Sequence, residues 1–149
     1  MIRTILIVVA IAAVTGTVVA QNSPLEQRSA LMSSMWRDGW RSITFMVRGR
    51  EPYDQAKVDA GFAKINELAA KMPPLWPAGS QGVAPNAGFT STAKIWENKA
   101  DFEAKLAAFA KAATENQGKA KNLDELKQVF AVVDKSCDNC HDLYRVRAR

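Results

Sequence analysis

Residues 122–144, NLDELKQVFAVVDKSCDNCHDLY, carry the reading on which the fold turns. Asn122 and Glu125 form a capping pair: a short polar side chain at the helix start and a glutamate three residues on. Behind them Leu126, Phe130, Val133, Cys137, Cys140, His141 and Tyr144 recur at the spacing of one helical face. This is a long amphipathic helix, and three more patterns of the same kind precede it.

Working back along the chain, Ile95, Phe102, Leu106, Phe109 and Ala113 form the stripe of a helix that starts near Ser91 or Thr92 and is broken at Gly118. Before it, Met72–Ser91 holds four of the six prolines and three of the eight glycines, which makes it the one long connection. Trp76 and Phe89 are expected to pin that connection to the bundle. Val58, Phe62, Ile65, Leu68 and Met72 follow a cap at Asp54. Pro73-Pro74 ends that helix, because proline lacks an amide hydrogen and restricts the residue before it. The earliest helix opens at Ser23-Pro24-Leu25-Glu26, with a Ser cap, Pro at the first position and Glu three residues on. Its stripe is Met32, Trp36, Gly39, Ile43 and Met46, running to about Arg48, where Gly49 and Pro52 interrupt it. No strand-like alternation is visible. The fold class predicted is all-α, an antiparallel up-down four-helix bundle.

The chain has 149 residues, 20 Lys+Arg, 15 Asp+Glu and one His, and 48% of it is apolar. That apolar share excludes a disordered chain, and the length suits one domain. A charge of +5 on a mixed-sign surface gives no case for nucleic acid. Met1-Ile2-Arg3-Thr4, the apolar run from Ile5 to Val14 and the small residues before Gln21 have the anatomy of a cleaved signal peptide, residues 1–20. The run is short for a membrane anchor. The expected mature domain is 21–149, exported, with no membrane anchor.

Cys137-Asp138-Asn139-Cys140-His141 is the C-x-x-C-H pattern of covalent haem attachment. Positions i, i+3 and i+4 share a helical face. Two thiols can therefore tether one haem c while the adjacent imidazole reaches its iron. Zinc would need a further ligand, and no other His or Cys exists. A thioredoxin-like C-x-x-C needs a βαβ setting, which this chain lacks. A plain disulfide would leave His141 unexplained. A single His, already committed, also argues against a peroxidase or another enzyme.

Together these features resemble the class II c-type cytochromes, the group of cytochrome c′ and the low-spin cytochromes c-556. Arg28-Ser29-Ala30-Leu31-Met32, Gly49-Arg50-Glu51-Pro52-Tyr53-Asp54, Leu75-Trp76-Pro77-Ala78-Gly79-Ser80, Lys94-Ile95-Trp96 and His141-Asp142-Leu143-Tyr144-Arg145 each match a segment of that family's pattern. The resemblance implies thioether links at Cys137 and Cys140, His141 as axial iron ligand, and Arg28 near a propionate. Arg145, a helical turn beyond His141, would lie beside the proximal face or a propionate. It implies Met32 at the distal position, either ligating or packing over an open iron. Counting back from Pro52, the family pattern falls on Ser33 instead, so this helix carries one extra residue. Such an insertion turns a helical face by about 100°, which leaves Met32 ahead of Met35 as the second axial ligand. The function implied is single-electron transfer in the periplasm with redox partner proteins. The alternative is a five-coordinate protein that binds nitric oxide or carbon monoxide. Homodimers are frequent in that family, although no dimer face is legible here.

Overall fold

Residues 23–148 are described by a computed structural model. The expected signal peptide lies outside the described residues. The first helical rod is one uninterrupted run: α1 (Pro24–Ser34), a π-helical turn (Met35–Trp40) and α2 (Arg41–Val47). Its start is the expected capping box. Glu26 N donates to Ser23 Oγ at 3.3 Å, and Ser23 N donates to Glu26 Oε2 at 2.9 Å.

The π turn corrects the expected stripe of this rod. An i→i+5 turn holds one more residue than an α turn, so the facing shifts by one position on its N-terminal side. Gly39, Ile43 and Met46 are buried as expected, but before them Leu31 and Met35 are buried in place of Met32 and Trp36. Met32 is half-buried and Trp36 is 47% exposed.

α3 (Gln55–Ala69) starts where Lys57 N donates to Asp54 Oδ1 at 3.0 Å. Its whole expected stripe, Val58 to Met72, is buried. It meets the first rod at a backbone contact that admits no side chain: a Cβ on Gly61 would lie 2.7 Å from the Gly39 carbonyl oxygen.

A 3-10 turn (Pro73–Leu75) opens the long connection. Trp76 pins it, buried, with Nε1 donating to Ser91 Oγ at 3.1 Å. Phe89 does not: it is 47% exposed. It belongs instead to β1 (Phe89–Ser91), which pairs antiparallel with β2 (Arg145–Arg147). Three-residue strands are too short to show alternation, hence their absence from the sequence reading. The third helix also begins later than expected. Thr92 N and Oγ1 donate to the carbonyls of Tyr144 and Leu143 at 3.0 and 3.1 Å, which holds that residue on the ribbon. One turn, α4 (Lys94–Glu97), and a non-helical Asn98 precede α5 (Lys99–Asn116).

α6 (Leu123–Tyr144) is capped by Asn122, whose Oδ1 accepts from Glu125 N at 3.0 Å, while Glu125 Oε2 accepts from Lys121 N at 2.7 Å. The rod packs on α3, α3 on α5, α5 on α6 and α6 back on α2. This closes the predicted four-helix bundle. Among the described residues no helix is long and apolar enough to cross a membrane.

Candidate haem site

Cys137, Cys140 and His141 stand together on α6 along one wall of a cavity of about 570 Å³. A cavity of this size is in the range of small-molecule and cofactor sites. Both thiols are free and half-buried. Burial, with help from Asp134 and Asp138, pushes the Cys137 thiol up to about 12, and burial raises Cys140 as well. Burial and then Arg145 hold the His141 imidazole below its usual range. Each shift favours the neutral form. A neutral imidazole keeps the lone pair that an iron ligand needs.

α1 supplies a second wall through Leu25, Arg28, Ser29, Met32 and Ser33, continued by Met35 of the π turn. Trp40, which the sequence reading missed, joins the rod to α6 at the cavity. Its Nε1 donates to Asp134 Oδ1 at 3.2 Å, and its ring stacks on Phe130 at 4.8 Å. Trp40 lies four residues after Trp36 and three before Ile43, so helical spacing alone could have placed it on this face. Tyr144 closes the far end. Its hydroxyl donates to Asp101 Oδ2 at 2.5 Å, and its ring meets Phe102 edge-on at 5.2 Å.

Arg28 is the unusual feature. It is buried beside the cavity, with Nη1 donating to Leu75 O and Ser80 Oγ at 3.1 and 3.0 Å and Nη2 to Ser80 O at 2.7 Å. The indoles of Trp76 and Trp96 lie 5.9 and 5.7 Å from its guanidinium carbon. All these partners are neutral, and among the described residues no carboxylate pairs with it. A buried cation without an anion is costly.

Arg145 is not the further helical turn beyond His141 that the sequence led us to expect. It caps α6 in extended conformation, φ −123° and ψ 138°. It still lines the cavity, with its guanidinium over the Phe89 ring at 4.7 Å. The chain leaves the helix here because Arg145 pairs with Ser91 across the ribbon.

The residues fit a covalent haem. Two neutral thiols and an imidazole share a wall, thioethers and aromatic rings line the rest, and Arg28 lacks the anion that a propionate would supply. Among the described residues no cluster of three or more His, Cys, Asp or Glu could hold a bare metal ion. The fold and this donor set define a four-helix bundle that carries haem.

Comparison with known proteins agrees. A family model described as Cytochrome C′ matches residues 23–145. A cytochrome c-556 of Rhodopseudomonas palustris is 34% identical over 146 residues, 97% of each chain. A cytochrome c′ of the same organism is 35% identical over 133 residues, 89% of this chain and 88% of its own. The solved structure of a Rhodopseudomonas palustris cytochrome c′ superposes with a TM-score of 0.76 at 35% identity, covering 87% of this chain and 98% of that one. This chain belongs to the cytochrome c′ family of class II c-type cytochromes. It is a covalent haem c protein of electron transfer or gas binding, not an enzyme.

Proposed function

We propose that this protein is a periplasmic electron carrier whose haem c is held through Cys137 and Cys140, with His141 and Met32 as the axial ligands. The observation that carries the reading is the direction of the α1 face. Leu25, Arg28, Ser29, Met32 and Ser33 of α1 line the cavity together with Met35 and Trp36 of the π turn, and Met32 lies inside that arc, between flanks at Arg28 and Ser33. Met35 is at its edge, packed into the core with Leu31. The π turn supports the same choice. It absorbs the extra residue counted from Pro52, so α1 keeps Met32 towards the site.

Bound haem supplies the one-electron iron couple. The chain's own groups set its surroundings. His141 presents a neutral nitrogen from a half-buried helix face, and Met32 offers a soft, uncharged sulfur. Arg28 provides a fixed positive charge for a propionate, and Arg145 a second at the mouth. Ile65, Phe102, Phe109 and Val133 keep the site apolar and exclude water.

The visible spectrum of the ferrous protein, with and without carbon monoxide, tests this. A low-spin spectrum that carbon monoxide leaves unchanged is the result expected. A high-spin ferrous form that takes up the gas at once would leave Met32 as a packing residue. The gas-binding reading would then stand first.

A further inference from the structure

The cavity opens beside the β1–β2 ribbon, and this ribbon is chemically unlike the rest of the surface. β2 is exposed along its whole length. The register sets Phe89 opposite Arg147 and Ser91 opposite Arg145, so both arginines share the ribbon face of Phe89. Their guanidinium carbons lie 4.7 and 5.5 Å from its ring centroid. Phe89 lines the cavity and is also 47% exposed. Val146, paired with Thr90, and Val83, next to the Gly82 carbonyl that Thr90 Oγ1 reaches, are exposed too.

Among the described residues neither Arg145 nor Arg147 lies within ion-pair distance of a carboxylate. The nearest acids along the chain, Asp138 and Asp142, belong to α6 and not to the ribbon. An exposed aromatic between two arginines that no described carboxylate pairs has the composition of a protein-docking surface. The missing counter-charge is negative.

We propose that the β1–β2 ribbon is the landing surface for an acidic redox protein. The inference rests on the electron-carrier reading, because electron transfer requires the partner to meet the cofactor's edge. The ribbon forms part of the cavity wall that lies outside the four helices. A carboxylate of the partner pairs with Arg147, which stands outside the cavity that Arg145 lines, while Phe89 makes the dry contact. A small, charged contact of this kind is transient and salt-sensitive.

Two measurements on the haem-loaded protein test it. Titration with poly-L-glutamate, followed by amide chemical shifts, should move residues 88–91 and 145–148 first. Poly-L-lysine should not. Arg147→Glu should abolish the shifts and Arg147→Lys should keep them. Shifts centred elsewhere overturn the proposal. In stopped flow, hexacyanoferrate(III) takes one electron from the ferrous protein and becomes hexacyanoferrate(II). Arg147→Glu should slow this about three- to tenfold at low ionic strength and have no effect at high salt. Lys119→Glu, the same charge change on the distant α5–α6 turn, is the control. Equal slowing by both variants means net charge alone acts, and the ribbon is not the landing site. Binding of poly-L-glutamate is electrostatic and needs no electron transfer. The titration therefore shows whether the ribbon binds acidic chains even in a protein whose carbon monoxide spectrum rules out the carrier reading.

Discussion

Arg28 and Ser80, 52 residues apart, are joined twice: Nη1 donates to Ser80 Oγ at 3.0 Å and Nη2 to Ser80 O at 2.7 Å. One side chain thus closes the long connection onto α1 and leaves its charge beside the haem cavity. The two roles separate by substitution. Arg28→Gln should cost about 2–4 kcal/mol, since buried carbonyls lose their donors. It should also lower the midpoint potential, because losing a nearby positive charge favours ferric iron. Arg28→Lys keeps the charge but not the fork. It should lose stability and hold the potential. Thermal unfolding and potentiometry of both variants check this.

Haem attachment should depend on both thiols. Cys137→Ala or Cys140→Ala should each leave a singly tethered haem, with a shifted alkaline pyridine spectrum. The double variant should release all its haem into acid-acetone. Release of haem from the unmutated chain would refute the assignment.

Met32→Ala should abolish the weak sulfur-to-iron absorption of the ferric form, give a high-spin or water-bound iron, lower the potential and admit carbon monoxide. Met35→Ala should do none of these. As a core residue it should instead cost about 2–5 kcal/mol, read by denaturant unfolding.

Deletion of Arg37 from the π turn should restore α-helical winding. Arg37 is exposed and ion-pairs only with its neighbour Asp38. Both ends of the rod keep their facing, so the haem spectrum should be unchanged and the melting temperature no lower. Deletion of Ala30, within α1, should instead turn Arg28 away from Ser80 and destabilise the protein. Melting curves and visible spectra of the two deletions distinguish the cases.

Alkaline unfolding should report on Tyr144. Burial, and then the bond to Asp101, raises its phenol from 10.0 to about 12. The unfolded chain therefore loses this proton first, and stability falls as pH rises between these values. Tyr144→Phe should flatten that part of the stability–pH curve.

Much of this was legible in the sequence, and what was hidden had physical reasons. Ser23, Asp54 and Asn122 announce helix starts because their side chains do the capping locally. Cys137, Cys140 and His141 lie on one helix, so their spacing alone defines their geometry. The π turn was harder to see, since Leu31 and Met35 make an apolar stripe as good as Met32 and Trp36. The extra residue counted from Pro52 was its only trace. Arg28's clamp, Trp40's bond to Asp134 and the β1–β2 ribbon join residues far apart in sequence. No local pattern encodes such partners.

The backbone contact between Gly39 and Gly61 gives the first rod a fulcrum. Met32 lies seven residues from it, about 10 Å along the helix. A tilt of about 5° at that point would therefore carry its sulfur about 1 Å, while α3, α5 and α6 stayed still. The length of any bond that Met32 makes is thus levered from a point well away from it. Added bulk at Gly61, on a different helix, would act on the iron site through that arm.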